Sequence, residues 1–322
     1  MLEAKQTPFV LLENVDRLLK SPAAQRGRDF GIILTCFRDL GYTVEWRVIN
    51  AADYGFPQRR RRTFIFACKN DTRYANTYRN PAKEILLKDG FFAKSFPVLE
   101  KETDIRSVQL PKSIGEVSED FSFAFGNAGM MKDGKIFTIN TEPNYSGVYQ
   151  VLGDVMETGP VNLSYFIQEE RLYYTDPTVI HSDERTDRLP KEKRQTWQYL
   201  KGAKKLCRTS KDGHKYVYSE GAMDMIDSPD KPSRTLLTSE GSFSRTTHIV
   251  RDKVTGKVRY LTPTEMERLQ GFPTDWTKDS LVNGEAIPMP ERKRRFLMGN
   301  ALVVGLVSAM EQQLSDIFDV ET

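Results

Sequence analysis

Gln58-Arg59-Arg60-Arg61-Arg62-Thr63-Phe64-Ile65-Phe66-Ala67 sets four consecutive arginines against an apolar, β-branched and aromatic run. The run reads as a β-strand, and strand alternation sends Arg60 and Arg62 to one face and Arg59 and Arg61 to the other. A sheet core accepts neither pair without partners, so one face must meet anions or hydrogen-bond acceptors. Arginine donors suit phosphate oxygens and a pyrimidine carbonyl alike. The plainer alternative is a solvated basic edge strand. The turn Asp53-Tyr54-Gly55-Phe56-Pro57 just ahead of the arginines weighs against it.

Working upstream, Thr43 to Val48 reads as a second strand, and Ser21 to Leu40 as a helix with Phe30, Ile33, Leu34 and Phe37 on one face and Gly41 as its cap. Pro8-Phe9-Val10-Leu11-Leu12 suits a buried parallel strand that ends at Glu13-Asn14-Val15. A carboxylate there sits where α/β sheets place ligands, within reach of a ring nitrogen. Alternatively, Glu13 caps the turn or pairs with Arg17. This strand–helix–strand–turn–strand order is an α/β piece, too short for a complete doubly wound sheet.

Downstream, from about residue 75 to 230, short runs such as Ile136 to Ile139, Leu172 to Tyr174 and Tyr216 to Tyr218 alternate with turns such as Lys132-Asp133-Gly134. They predict a separate, loop-rich, mostly β domain. Helices return later. Thr262-Pro263-Thr264-Glu265 is a capping box with proline at the first helical position. Pro290 opens a basic helix, and Asn300 is placed to cap a last one carrying Leu302, Leu306, Met310, Leu314 and Ile317. The expected divisions are therefore 1–74, 75–230, 231–289 and 290–322.

A mean hydropathy of −0.51 and the lack of any apolar run near the roughly 18 residues of a span argue against a membrane protein. Cys36, Cys68 and Cys207 form no CxxC pair, which argues against a disulfide framework or zinc site and predicts no metal. A cytoplasmic setting follows. Residues 1–73 and 231–300 each carry 13 Lys and Arg against 8 Asp and Glu, two basic blocks able to meet a polyanion.

Glu13-Asn14-Val15, followed by Gln58-x-Arg60-x-Arg62 after the Asp-Tyr-Gly-x-Pro turn, resembles two successive motifs of the DNA cytosine-5 methyltransferase family. Pro232-Ser233-Arg234-Thr235-Leu236 resembles the start of a third, continued by Leu261-Thr262-Pro263-Thr264-Glu265-x-x-Arg268-Leu269-Gln270-Gly271-Phe272-Pro273. Gly299-Asn300-Ala301-Leu302-Val303 is similar to the last. The resemblance implies a partial Rossmann-like, S-adenosylmethionine-dependent methyltransferase sheet with a β-rich target-recognition domain at 75–230. It implies base flipping and methylation of cytosine in double-stranded DNA, in a bacterial or phage restriction-modification setting. By position, Glu13 would contact N3 and the amino group of the flipped cytosine, and Arg62 its O2. Arg60 would hold the nucleophile loop, and Asn300 and Ala301 would line the S-adenosylmethionine pocket. Residues 231–289 would dock the recognition domain on the catalytic one.

The family's nucleophilic cysteine lies in a Pro-Cys loop upstream of the Glu-Asn-Val strand, and the donor pocket begins further upstream. Only twelve residues precede Glu13, and no cysteine here follows a proline. Cys36 and Cys68 read as small core residues, and Gly126-Asn127-Ala128-Gly129 lacks the helix of a nucleotide loop. The expectation is thus a C-terminal portion of the family, inactive alone. The main S-adenosylmethionine pocket and the cysteine would lie on a second polypeptide. A catalytically silent, sequence-specific DNA-binding module is one alternative, and an RNA-directed relative another.

Overall fold

In the computed structural model, which describes residues 2–101, 104–173 and 196–321, the chain's first three strands are β1 (Phe9–Val15), β2 (Tyr42–Asn50) and β3 (Arg61–Lys69). With β4 (Arg106–Gln109), β5 (Ala128–Lys132) and β6 (Lys135–Ile139) they form one sheet in the order β1-β3-β2-β5-β6-β4, with every neighbouring pair antiparallel. The expected parallel, fully buried first strand is corrected. β1 and β2 do run in the same direction, but β3 lies between them and opposes both. The turn at Gly55 (φ 88°) reverses the chain into that slot, and a Cβ there would lie 2.6 Å from the Val148 carbonyl oxygen. β1 is left as an edge strand with Leu12 and Val15 exposed.

Each face of the sheet is covered. On one, Phe64 and Phe66 pack with Phe91, Phe92 and the inward side of the Val304–Glu321 helix at Leu306, Met310 and Ile317. On the other, Phe30, Leu34 and Phe37 of the Arg28–Asp39 helix pack on Val44, Trp46 and Ile65. That helix starts later than Ser21 because Pro22 and Gly27 (φ 86°) interrupt the chain, and Asp29 N–H donates instead to the Ser21 carbonyl. Glu45 and Arg47, buried in β2, serve this core: the Glu45 carboxylate accepts from the Phe91 and Phe92 amides at 3.0 Å, and Arg47 donates to the Phe96 carbonyl at 3.0 Å. Burial pushes the Glu45 carboxyl up and the Arg47 guanidinium down from their ordinary values.

The residues divide into two compact units, 1–150 with 303–322, and 151–302. A boundary near residue 75 is therefore not where the units part, because β4, β5 and β6 belong to the first sheet. The β5–β6 turn at Asp133-Gly134 has the positive φ pair of a tight hairpin, as its sequence predicts.

The second unit is built on small antiparallel pairs: β7 (Lys204–Thr209) with β8 (Lys215–Glu220), β9 (Ile249–Arg251) with β10 (Val258–Tyr260), and β11 (Asp279–Val282) with β12 (Glu285–Pro288). Its core gathers Leu152, Leu236, Val250, Leu261, Met266, Leu269 and Met298. The capping box is present: Thr262 Oγ1 accepts from Glu265 N–H, and Glu265 accepts from Thr262 N–H at 2.9 Å. Glu265 also takes both guanidinium nitrogens of buried Arg259, at 2.8 and 2.7 Å. Leu172 closes a 3-10 turn rather than opening a strand, and Tyr174 lies outside the described residues. Asn300 is the last residue of the Glu291–Asn300 helix and does not cap the next, which begins at Val304. Among the described residues no helix is long and apolar enough to cross a membrane.

Candidate functional site

The end of β1 and the start of β3 bring the predicted residues together. In the ladder Val15 faces Arg62 and Glu13 faces Phe64, so Glu13 and Arg62 are diagonal neighbours on one sheet face. Arg62 Nε lies 2.7 Å from Glu13 Oε1, both side chains remain partly accessible, and Arg62 Nη1 also donates to the Arg61 carbonyl at 2.8 Å. Glu13 therefore pairs with Arg62, not Arg17. A half-open carboxylate beside a guanidinium fork offers an acceptor and a set of donors to one flat, polar ligand edge.

Arg60 enters just before the strand, and its side chain is buried while Arg59 and Arg61 are exposed, so the alternation across the arginine run holds even though only Arg61 and Arg62 lie in β3. Burial, reinforced by the Arg62 charge and opposed by Glu13, brings the Arg60 guanidinium down to about 10, still protonated at neutral pH. Gln58 is also fully buried. The site is thus supported from beneath by polar side chains, which limits the conformations of the turn that leads into Arg62.

On the opposite sheet face Arg61 lies 3.4 Å from Asp16 and lines a cleft of about 290 Å³ with Lys20, Arg26 and Arg106. This basic cleft escapes sequence reading because its cations come from four separate segments. Only Arg61 stood in a noticed motif.

None of the three cysteines joins the pair. Cys68 is buried near the far end of β3, registered against Phe9, and burial pushes its thiol up to about 12. Cys36 is exposed, so its expected core role is corrected: it lies on the outer side of its helix while Leu34 and Phe37 face in. Cys207 is exposed on β7. The Gly126-to-Gly129 stretch is structural: a Cβ on Gly129 would lie 2.1 Å from the Trp46 ring, and one on Gly126 2.1 Å from the Ile139 carbonyl oxygen.

Asn300 is exposed at its helix end, its amide donating to the Phe296 carbonyl at 3.3 Å, and Ala301 packs half-buried on the second unit's core. These two residues supply an amide oxygen and a methyl wall but no charge.

The chain belongs to the C-5 cytosine-specific DNA methylase family, whose model matches residues 1–316. That family is S-adenosylmethionine-dependent. Among its relatives, the type II methyltransferase M.Sau3AI of Staphylococcus aureus is 42% identical over 96% of this chain and 67% of its own length. M.NgoBV of Neisseria gonorrhoeae is 23% identical over 98% and 74%. The solved S. pombe Dnmt2 methyltransferase is similar over 96% of this chain and 65% of its own, at 16% identity and a TM-score of 0.45. The chain thus spans about two thirds of the length of M.Sau3AI and of that solved structure. The match corrects the description of the chain as a C-terminal portion of the family. The match runs over nearly the whole chain, whereas that description had rested on a Pro-Cys loop and a donor motif expected upstream of Glu13.

Proposed function

We propose that the chain acts in C5 methylation of cytosine in duplex DNA, as a type II restriction-modification methyltransferase in a bacterial or phage setting. The observation that carries the reading is the 2.7 Å Glu13–Arg62 pair. Cytosine presents N3 and an amino group on one edge with O2 beside them. Glu13 would take the N3 and amino edge, and Arg62 would donate to O2. Arg60, buried behind them, would hold the turn on which a nucleophile loop rests. S-adenosylmethionine would supply the methyl group, and Asn300 and Ala301 would line one edge of its site. Of the span 75–230, the part in the second unit, 151–230, would contribute the target-recognition function, and 231–289 its attachment to the catalytic part.

Attack on cytosine C6 needs a thiolate. Cys68 is buried with its thiol pushed up to about 12, and no cysteine follows a proline. In this reading Cys68, as placed, is not the attacking thiol, and Glu13 and Arg62, backed by Arg60, hold the base. The test is transfer of labelled methyl from S-adenosylmethionine to duplex DNA. Labelling by the wild type that Glu13→Gln abolishes supports the proposal, and labelling that Glu13→Gln leaves unchanged overturns it. Sequence-specific binding with no labelling favours a silent DNA-binding module, and preference for folded RNA favours an RNA-directed enzyme.

A further inference from the structure

We propose that residues 143–150 form a strap that sets the Gly55 turn and, through it, the arginines that follow, with Tyr145 as the positioning residue. This rests on the reading of Arg60 and Arg62 as serving the target cytosine. Between β2 and β3 the chain makes a loop from residue 51 to 60, closed at its base where Ala51 N–H donates to the Arg60 carbonyl at 3.1 Å. A shift of that loop is passed to Arg60 and, two residues on, to the Arg62 side chain that meets Glu13.

The strap is fixed at both ends. At its start Asn144 N–H donates to the Pro97 carbonyl at 2.9 Å, and Pro143 bridges to Val98. The same Pro97 carbonyl accepts from Tyr54 Oη at 3.3 Å, so strap and turn share one anchor. At its end Gln150 N–H donates to the Gly55 carbonyl at 2.9 Å. Between these points the strap lies directly on the turn. A Cβ on Gly55 would fall 2.7 Å from Tyr145 Cε1 as well as against the Val148 carbonyl. The Tyr145 ring meets Tyr54 edge-on at 6.2 Å and Tyr149 at 5.4 Å, and Tyr149 Oη donates to the Tyr145 carbonyl at 3.2 Å. A Cβ on Gly147 would lie 2.3 Å from Tyr145 Oη and 2.4 Å from Cζ. The strap thus curls round the Tyr145 ring and holds it on Gly55. Phe56, the next residue of the turn, is fixed separately: its ring takes the place of a Cβ on Gly305, in the first turn of the Val304–Glu321 helix.

Residues 142–150 are all exposed, whereas Tyr54 and Gly55, which the strap covers, are buried. A segment this exposed adds little to the core, and substitutions on such a surface move stability little. A reacting group displaced by about 1 Å, by contrast, can cost about a hundredfold in rate. The contacts of Tyr145 therefore weigh on where the arginines stand more than on whether the sheet folds.

The test measures methyl transfer from S-adenosylmethionine to duplex DNA of mixed sequence, affinity for that duplex, and hydrogen exchange along the turn, all in the full chain. Tyr145→Ala should lower the rate at saturating duplex about tenfold and leave affinity and melting temperature near the wild type. It should also speed exchange in residues 51–60 and at the Gln150 amide. Tyr145→Phe keeps the ring and should behave as the wild type. Gly147→Ala, which pushes the ring aside without removing it, should repeat the Tyr145→Ala loss, and it carries the measurement if that variant fails to fold. In the Arg62→Ala background Tyr145→Ala should cost no further rate, because the two act on one step. Full activity or unchanged exchange in Tyr145→Ala, an equal loss in Tyr145→Phe, or multiplied losses in the double variant overturns the strap and leaves the base-holding reading standing. A wild type that labels no duplex, or an Arg62→Ala chain that labels as well as the wild type, overturns both.

Discussion

Arg62 Nε rests 2.7 Å from Glu13 Oε1 across the β1–β3 ladder, although Arg62 is registered against Val15 and not against Glu13. The diagonal leaves both side chains partly accessible. A pair this accessible contributes little to folding, under about 1 kcal/mol. Glu13→Gln and Arg62→Ala should therefore melt within a few degrees of the wild type. Each should lower labelling of duplex DNA by about a hundredfold or more. Arg62→Lys keeps the charge but loses the planar fork, and should fall between. If Arg62→Ala instead yields no soluble protein, the arginine is a strut of the sheet and the cytosine-holding role fails.

What the sequence made legible was local. Thr63 to Ala67 repeats with the period of a strand, and that period alone separates buried Arg60 from exposed Arg61. The Thr262 capping box needs only four residues to be read. Glu13 was legible as a strand-end carboxylate, but its partner was not, because antiparallel insertion of β3 beside β1 depends on a long-range choice. For the same reason β5 looked like part of another domain. Its place in the first sheet is set by Trp46, whose ring packs on Gly129. Of the β7–β8 hairpin only Tyr216 to Tyr218 was legible: polar residues stand on both faces, so hydrophobicity shows no alternation along β7.

Arg259 is fully buried between Asp252, at 2.9 Å, and the capping carboxylate Glu265. Glu265 thus closes the capping box and neutralises a buried cation with the same two oxygens. Removing one member of such a cluster strands a buried charge and costs about 3–5 kcal/mol. Glu265→Ala should unfold the second unit in urea well before the wild type, whereas Thr262→Ala, losing only the cap, should cost about 1 kcal/mol. Equal losses in the two variants would mean that the buried ion pairs add nothing beyond the cap.

Lys201 is almost fully buried 3.4 Å from Asp227, and desolvation brings its ammonium down to about 8 despite that partner. The unfolded chain then binds the proton more tightly between pH 8 and 10.5. Stability contributed at this site is absent below pH 8 and grows as pH rises through that window. Urea titrations at pH 7.5, 8.5 and 9.5 should show the gain, and Lys201→Met should flatten it. Asp227 has the opposite sign: its carboxyl is held below the ordinary value by Arg234 in particular, against the upward push of burial. Its contribution is present at neutral pH and is lost in acid as pH falls through the folded-state value. Asp227→Asn should remove that acid limb and, by taking away the carboxylate that holds the Lys201 ammonium up, enlarge the alkaline one.

The cysteines provide the sharpest check on where the nucleophile comes from. A thiol pushed up to about 12 has a negligible thiolate fraction at neutral pH, and Cys68 is also closed to solvent between β1 and β2. Cys36 and Cys207 are exposed, one on the outer side of a helix and the other on the β7 ribbon. In the native protein a thiol reagent should therefore modify Cys36 and Cys207 quickly and reach Cys68 only on unfolding. Cys36→Ser should remain as active as the wild type. Replacing Cys68 by Ala would leave a small void in the sheet, at about 1–2 kcal/mol, and should lower the melting temperature without lowering the rate per folded molecule. A drop in methyl transfer with any of the three, at unchanged folded fraction and unchanged DNA binding, would place the attacking sulfur on this chain.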